Sequence, residues 1–418
     1  MESKLIDHLF RYHSGKMVSV LTRIFGLAHL EIIEDAVQDT FIKASISWRQ
    51  QQPQHPEAWL TQAAKNRVLD IFRKLKAEKK QLPNLQQSRD FIAVNELFLD
   101  TEIEDAQLRM IFTACHPNLD PRDRISFALK TVSGFSIKEI SSALLTKEET
   151  VKKRLLRARK TIKESHIKFH IPQGNALPER LESVMEVLYL IFNEGFHSNS
   201  KENLVRKELC GEAMRLCKML LKNTHTRTSA AYALFALMCF HSARLEAKTN
   251  AENELLDLKH QDRSLWHFPL IQLGNTMMTK AVSDTEYSCY HYEAAIAAEH
   301  LRASNFDETD WTKILYWYQC LYAIQPMPIY KVTMAVVCLQ NLNFAQAKNH
   351  LDQVEANDLS QRSYLYYGTL SDYYYAIKNL EKAILNIDLA LETVINSLEK
   401  EYLEKKRTVL IQRKETIK

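Results

Sequence analysis

A chain of 418 residues with 46% hydrophobic content is long enough to bury two or three packed domains. Its 8 glycines leave little material for phosphate-cradling loops or tight strand-to-helix turns, and such a composition favours helices. The formal charge of +4 divides unevenly, with 28 Lys+Arg against 21 Asp+Glu in residues 1–170 and 27 against 30 in residues 171–418; a polyanionic partner therefore belongs with the first part.

Residues 5–75 read as amphipathic helices, interrupted by the polar loop Gln50-Gln51-Gln52-Pro53-Gln54-His55-Pro56, whose prolines disfavour helix continuation. Before the loop, a helix from Glu31 to Lys43 places Ile33, Val37 and Phe41 on one face and Asp35, Gln38 and Asp39 on the other. The spacing i, i+3, i+4 makes the second face an acidic patch. Phosphate would be repelled there, so a protein partner suits it better than DNA.

After the loop, a helix from Glu57 to Leu75 buries Leu60, Ala64, Val68, Ile71 and Leu75 and presents Trp59, Gln62, Asn66, Asp70 and Arg73. An aromatic ring, amides and a base on one stripe suit unpaired bases, by stacking and by edge contacts. Taken alone, Trp59 fits a packing role. From Ala77 to about Glu104 the chain turns polar and reads as a linker with one short helix at Ile92–Leu99. A second compact unit follows over about 107–165.

That unit contains the most informative stretch. Gly134 to Arg159 reads as a short helix, a brief turn and a longer basic helix that starts near Lys147, the pattern of a helix-turn-helix. Thr146 followed by Glu149 reads as a capping box that starts the second helix. Val151, Leu155, Ala158 and Ile162 share its packing face, while Thr150, Lys153, Arg157 and Lys160 share the other. Lysines and arginines so presented neutralise phosphates or contact guanine edges, and an exposed Leu156 suits a thymine methyl group. A merely solvated basic face has the same pattern.

After Pro172 helical periodicity runs to the C-terminus. Asn343-Phe344-Ala345-Gln346-Ala347 is echoed by Asn379-Leu380-Glu381-Lys382-Ala383 after 36 residues, close to the 34 of tetratricopeptide helix pairs. An ordinary helical bundle fits as well.

The seven cysteines are widely spaced, odd in number and without a Cys-x-x-Cys pair, which argues against a disulfide framework or zinc ribbon. MESKLIDHLF lacks the apolar run of a signal peptide, and no stretch approaches the roughly 18–20 apolar residues of a membrane span. A cytoplasmic protein is expected. No His-Glu-x-x-His, Gly-x-Ser-x-Gly or Gly-x-x-x-x-Gly-Lys-Ser/Thr occurs, so neither an enzyme nor a metal or cofactor is expected.

On these residues the chain resembles the extracytoplasmic-function sigma factors of the sigma-70 family. Glu34-Asp35-Ala36-Val37-Gln38-Asp39-Thr40-Phe41 resembles their polymerase-binding helix, and Ala58 to Asp70 their promoter-melting helix. Gly134 to Arg159 resembles region 4, with Leu145 where many members have glycine and Ser141 where alanine is usual. The remainder resembles a group with a long helical, TPR-like extension, through Tyr189 to Phe196, Leu209 to Ala213 and Gln261 to Trp266.

The resemblance implies an all-α chain with region 2 at 1–78, a linker at 79–106, region 4 at 107–170 and the extension at 171–418. It implies that Asp35, Gln38 and Asp39 meet core RNA polymerase at the β′ clamp helices, with region 4 on the β flap. Trp59, Gln62, Asn66, Arg67 and Arg73 would hold the −10 element, and Thr150, Lys152, Lys153, Arg154, Leu156, Arg157 and Lys160 the −35 element of promoter DNA. The extension is expected to modulate activity, through a protein partner of its own. A one-component helix-turn-helix regulator that senses a ligand or protein is the alternative; it has no use for the acidic helix or the Trp59 stripe.

Overall fold

The computed structural model describes residues 2–48, 53–79, 100–144, 146–196, 206–250, 256–283, 286–395 and 397–417. Among them no strand forms, in line with the all-α expectation. The chain divides into two compact units, residues 1–194 with 211–220, and residues 195–210 with 221–418.

The first unit begins with α1 (Glu2–Phe25), α2 (Leu30–Ser47) and α3 (Pro56–Lys79). Periodicity places the α2 and α3 cores: Ile33, Val37, Phe41, Leu60, Ala64 and Val68 are buried, and Ile71 is half-buried. The short helix expected at Ile92–Leu99 lies outside the described residues, as does Leu145. The chain continues with α4 (Asp100–Ala114), α5 (Pro121–Thr131), α6 (Ile137–Ala143) and α7 (Glu148–Glu164). Helix α1 packs on α2, α3, α4 and α5, while α5 and α6 pack against α7. At the α1–α5 approach a Cβ on Gly15 would lie 2.0 Å from the Val132 carbonyl oxygen. Only glycine permits that distance.

One local expectation is corrected. Thr146 and Glu149 form no capping box, because Lys147 is the N-cap of α7 and its side chain makes no cap hydrogen bond. Thr146 stands one residue too early, and Glu149 bonds Lys152 at 2.6 Å instead. The box forms one helix earlier: Ser136 accepts from the Glu139 amide at 3.1 Å, and Glu139 accepts from the Ser136 amide at 2.8 Å.

The first unit also runs past residue 171, where the extension was expected to begin. Helix α8 (Leu177–Phe196) buries Leu181, Val184 and Leu188, and its Ser183 hydroxyl donates to the Cys115 carbonyl at 2.6 Å. The guanidinium of Arg180 donates to the Phe112 carbonyl. Arg124 donates to Ser183 at 3.0 Å, to Glu186 at 3.2 Å and to the Leu119 carbonyl at 2.8 Å. These polar bonds occupy donors that burial would otherwise leave unsatisfied. Helix α9 (Lys207–Lys222) follows.

The second unit continues with α10 (Ser229–Ser242), α11 (Phe268–Ala281), α12 (Cys289–Arg302), α13 (Trp311–Ile324), α14 (Pro328–Gln340), α15 (Phe344–Leu351), α16 (Ser363–Ala376), α17 (Leu380–Thr393) and α18 (Ser397–Ile417). From α12 onward consecutive helices pack on each other, and α14 also meets α16. The 36-residue echo is conformational as well as sequential. Asn343 caps α15 by accepting from the Gln346 amide, and Asn379 caps α17 by accepting from the Lys382 amide, both at 3.1 Å. Leu342 and Lys378, immediately before them, are left-handed at φ 55° and 64°. The Asn343 amide reaches the Cys338 carbonyl and the Asn379 amide the Tyr374 carbonyl, closing the preceding helices by the same turn. Ala347 and Ala383 are fully buried, as small residues at close helix crossings are.

Among the described residues, no helix is long and apolar enough to cross a membrane.

Candidate nucleic-acid and polymerase interface

Helix α7 buries Val151, Leu155, Ala158 and Ile162, the four residues that periodicity assigned to packing. Lys152, Lys153, Arg157 and Lys160 are exposed, Thr150 and Arg154 are half-buried, and Leu156 is 65% exposed. An apolar side chain is thus held in water on the same helix as four exposed cations. Arg157 is oriented before any ligand arrives. Its Nε and Nη2 donate to Asp123 of α5 at 3.0 and 2.7 Å, and this hydrogen bond raises the Arg157 pKa further. Desolvation lowers that of Arg154, with Arg122 adding repulsion. An open depression of about 550 Å³, lined by Ser141, Ser142, Thr146, Lys147 and Thr150, lies between α6 and the start of α7.

The α3 stripe is arranged differently. Gln62 and Asn66 are exposed and bonded to each other at 3.1 Å, and Arg73 pairs with Asp70 at 3.1 Å. Trp59 is half-buried and meets Trp48 edge-on, with ring centroids 5.5 Å apart. The indole Nε1 of Trp48 is buried without a partner among the described residues. Between α2 and α3 runs a groove of about 540 Å³, lined by residues that include Lys43, Ile46, Trp59, Asn66 and Arg67. A ring, an amide and two cations around a partly apolar groove can stack and edge-bond one unpaired base.

On α2, Asp35 and Gln38 are exposed. Asp39 is half-exposed and accepts from Arg67 at 2.7 and 3.1 Å. The structure therefore joins a residue expected at the polymerase to one expected at DNA. Glu34, next to Asp35, is buried against Arg159 of α7. Burial pushes its carboxyl up, and Arg159 pulls it back.

The family comparisons divide along the same lines. Residues 9–78 match the family model "Sigma-70 region 2", residues 109–162 match "Sigma-70, region 4", and residues 180–282 match a family of unknown function. An uncharacterized protein of Rhizobium meliloti is 32% identical over 314 residues, 74% of each chain. The ECF RNA polymerase sigma factor SigE of Mycolicibacterium smegmatis is 27% identical over 158 residues, 38% of this chain and 60% of SigE. The ferric citrate uptake sigma factor FecI of Escherichia coli is 27% identical over 156 residues, 37% of this chain and 87% of FecI. This chain belongs to the extracytoplasmic-function sigma factors. No solved structure matches it.

In this sigma factor the roles of five residues escaped the sequence reading. Asp123 carries no local signal for its bond to Arg157, because 34 residues separate them. Glu34 and Arg159 are 125 apart. Lys43 lines the α2–α3 groove and Trp48 meets Trp59 only because α2 and α3 pack together. Cys115 is buried, with its thiol pushed up to about 12, so it is inert as a nucleophile.

Proposed function

We propose the following division of labour for an alternative sigma factor that directs transcription initiation at promoters. Residues 1–78 act as region 2, 107–170 as region 4, and the rest as a modulating extension with a protein partner of its own. Asp35, Gln38 and Asp39 meet the β′ clamp helices of core RNA polymerase, and region 4 meets the β flap. Trp59, Gln62, Asn66, Arg67 and Arg73 hold the unpaired −10 strand. Thr150, Lys152, Lys153, Arg154, Leu156, Arg157 and Lys160 hold the −35 duplex. The chain works in the cytoplasm and performs no catalysis itself.

The observation that carries this reading is the α7 face: exposed cations flank an exposed leucine, on a helix whose opposite side is wholly buried. Run-off transcription with core polymerase and genomic fragments tests it, with start sites mapped. Discrete starts upstream of which a common −35 and −10 pair recurs are expected. Tight DNA binding without initiation on any fragment favours the one-component regulator instead.

The modulating role is tested by truncation. A cut after Ile171 removes Arg180 and Ser183 from their bonds to Phe112 and Cys115 and is expected to destabilise region 4. A cut after Lys222 keeps those bonds and isolates the extension's own effect. Unchanged promoter output from the second variant argues against modulation.

A further inference from the structure

Promoter reading leaves unused a cationic cluster in the second unit. Arg244 follows α10, Lys248 ends a 3-10 turn four residues later, and Arg263 begins the turn that precedes α11. Each makes contacts, but among the described residues none of these contacts is an ion pair. Arg244 reaches His241 Nδ1 at 3.2 Å and lies 5.9 Å from the Phe196 ring centroid. Lys248 donates to the Phe196 carbonyl and sits 3.6 Å from the same centroid. Arg263 donates to the His300 and Ala303 carbonyls and stacks 4.5 Å from the Trp266 ring.

The neighbouring carboxylates are engaged or distant. Asp262 accepts from the Ser264 amide at 2.9 Å, Glu299 pairs with Arg302 at 2.7 Å, and Glu308 attracts Arg263 only over a longer range. The cations therefore lie within repelling range of one another. Burial first and then Arg263 lower Arg244 to about 10, and burial first and then Arg244 lower Lys248 to about 8. Beside them Arg263 Nη2, Trp266 Nε1 and His300 Nδ1 are buried without a hydrogen-bond partner among the described residues. Such orphaned groups are uncommon in folded proteins and carry a desolvation cost.

One occupant answers both anomalies. We propose that Arg244, Arg263, Trp266 and His300 form the binding site of a small anion that presents a carboxylate or phosphate group. Its oxygens accept from the guanidinium forks and the indole N–H, and its charge cancels the repulsion between Arg244 and Arg263. The Phe196 and Trp266 rings supply an apolar wall. A small ligand fits better than a macromolecular surface, because the orphaned donors are withdrawn from solvent. The extension thereby becomes a sensor of an anionic metabolite, a role independent of how α3 and α7 read DNA.

The test is a thermal-shift and calorimetric titration of the full chain with inorganic phosphate and, separately, with succinate, against sodium chloride at matched ionic strength. A saturable rise in melting temperature with phosphate alone assigns a phosphate ligand, with succinate alone a carboxylate, and with both the shared chemistry. Arg263→Gln is expected to weaken binding about tenfold or more, whereas exposed Lys400→Gln leaves it unchanged. Arg263 also anchors two carbonyls, so Arg244→Gln supplies the second variant: without ligand it melts no lower than the parent chain, because a repelled cation has been removed, yet it loses the anion response. The proposal is overturned if neither probe shifts melting beyond the chloride control, or if Arg244→Gln melts lower and responds to the anion as the parent does.

Discussion

The proposed interfaces of the first unit and one cationic cluster of the second treat their cations in opposite ways. In the first, cations of the proposed interfaces carry carboxylate partners: Arg67 has Asp39, Arg73 has Asp70, Lys152 has Glu149 and Arg157 has Asp123. In the second, Arg244, Lys248 and Arg263 are drawn inward, and their contacts are carbonyls, rings and a histidine. A partnered exposed cation is aimed by its carboxylate at little net cost in stability. A withdrawn cation without a counter-charge is held in an unfavourable state that a ligand relieves. The first arrangement suits rapid, salt-sensitive reading of DNA, and the second suits selective capture of a small anion.

The largest expected effect breaks the first unit while sparing the second. Gly15→Ala forces a methyl group onto the Val132 carbonyl and is expected to destabilise the α1–α5 contact by upwards of about 3 kcal/mol. Denaturant melts read by hydrogen exchange check it, with protection in α10 and α12 unchanged. Next, Asp123→Asn keeps the shape of the side chain but releases Arg157, and is expected to weaken binding of a −35 duplex by about 5- to 100-fold, or about 1–3 kcal/mol. The double variant with Arg157→Ala should bind no more weakly than Arg157→Ala alone; a further loss would mean that Asp123 does not act through Arg157.

Salt dependence sharpens the contrast. Replacing Lys152, Lys153 or Lys160 by alanine should each reduce the slope of log K against log salt by about 1, whereas Arg244→Gln should leave that slope unaltered.

The second unit has a pH signature of its own. Burial, aided by Arg244 and Arg263, lowers His300 from 6.5 to about 4. The unfolded chain thus takes up a proton that the folded chain refuses. The contribution is fully present above pH 6.5 and is lost as pH falls from 6.5 toward 4. Full-chain melts across that range should show the decline, and His300→Phe, which keeps a ring against Trp311, should flatten it. An unchanged decline would point to His116 in the first unit, which burial also lowers to about 4. The smallest expected effect is a gain: Leu342 is left-handed and 75% exposed, so Leu342→Gly should stabilise the α14–α15 turn by about 1 kcal/mol.

Much of this was legible from periodicity. The buried faces of α2 and α7, and Leu60, Ala64 and Val68 on α3, followed from apolar spacing, while Ile71 is only half-buried and the Leu75 side chain lies outside the described residues; the echo at Asn343 and Asn379 marked two equivalent turns before any backbone angle was known. Periodicity speaks only of a helix's own faces. It could not show that Asp39 and Arg67, 28 residues apart, hold each other, nor that Arg124 would bind Ser183 of α8 and make residues beyond 171 part of the first unit. The capping error has the same character at shorter range: Thr146 and Glu149 have the right spacing, but the register of the turn, set by packing of α6 and α7, places the cap one residue later.

The bond between Glu34 and Arg159 has a consequence for reach. It holds α2 and α7 within one hydrogen bond of each other, whereas promoter elements named for −35 and −10 lie on the order of 80 Å apart along a duplex that rises about 3.4 Å per base pair. With α7 on one element and α3 on the other, that bond cannot survive. If α3 and α7 hold the two elements as proposed, the length of DNA between those elements sets how far the two helices must part once the bond opens.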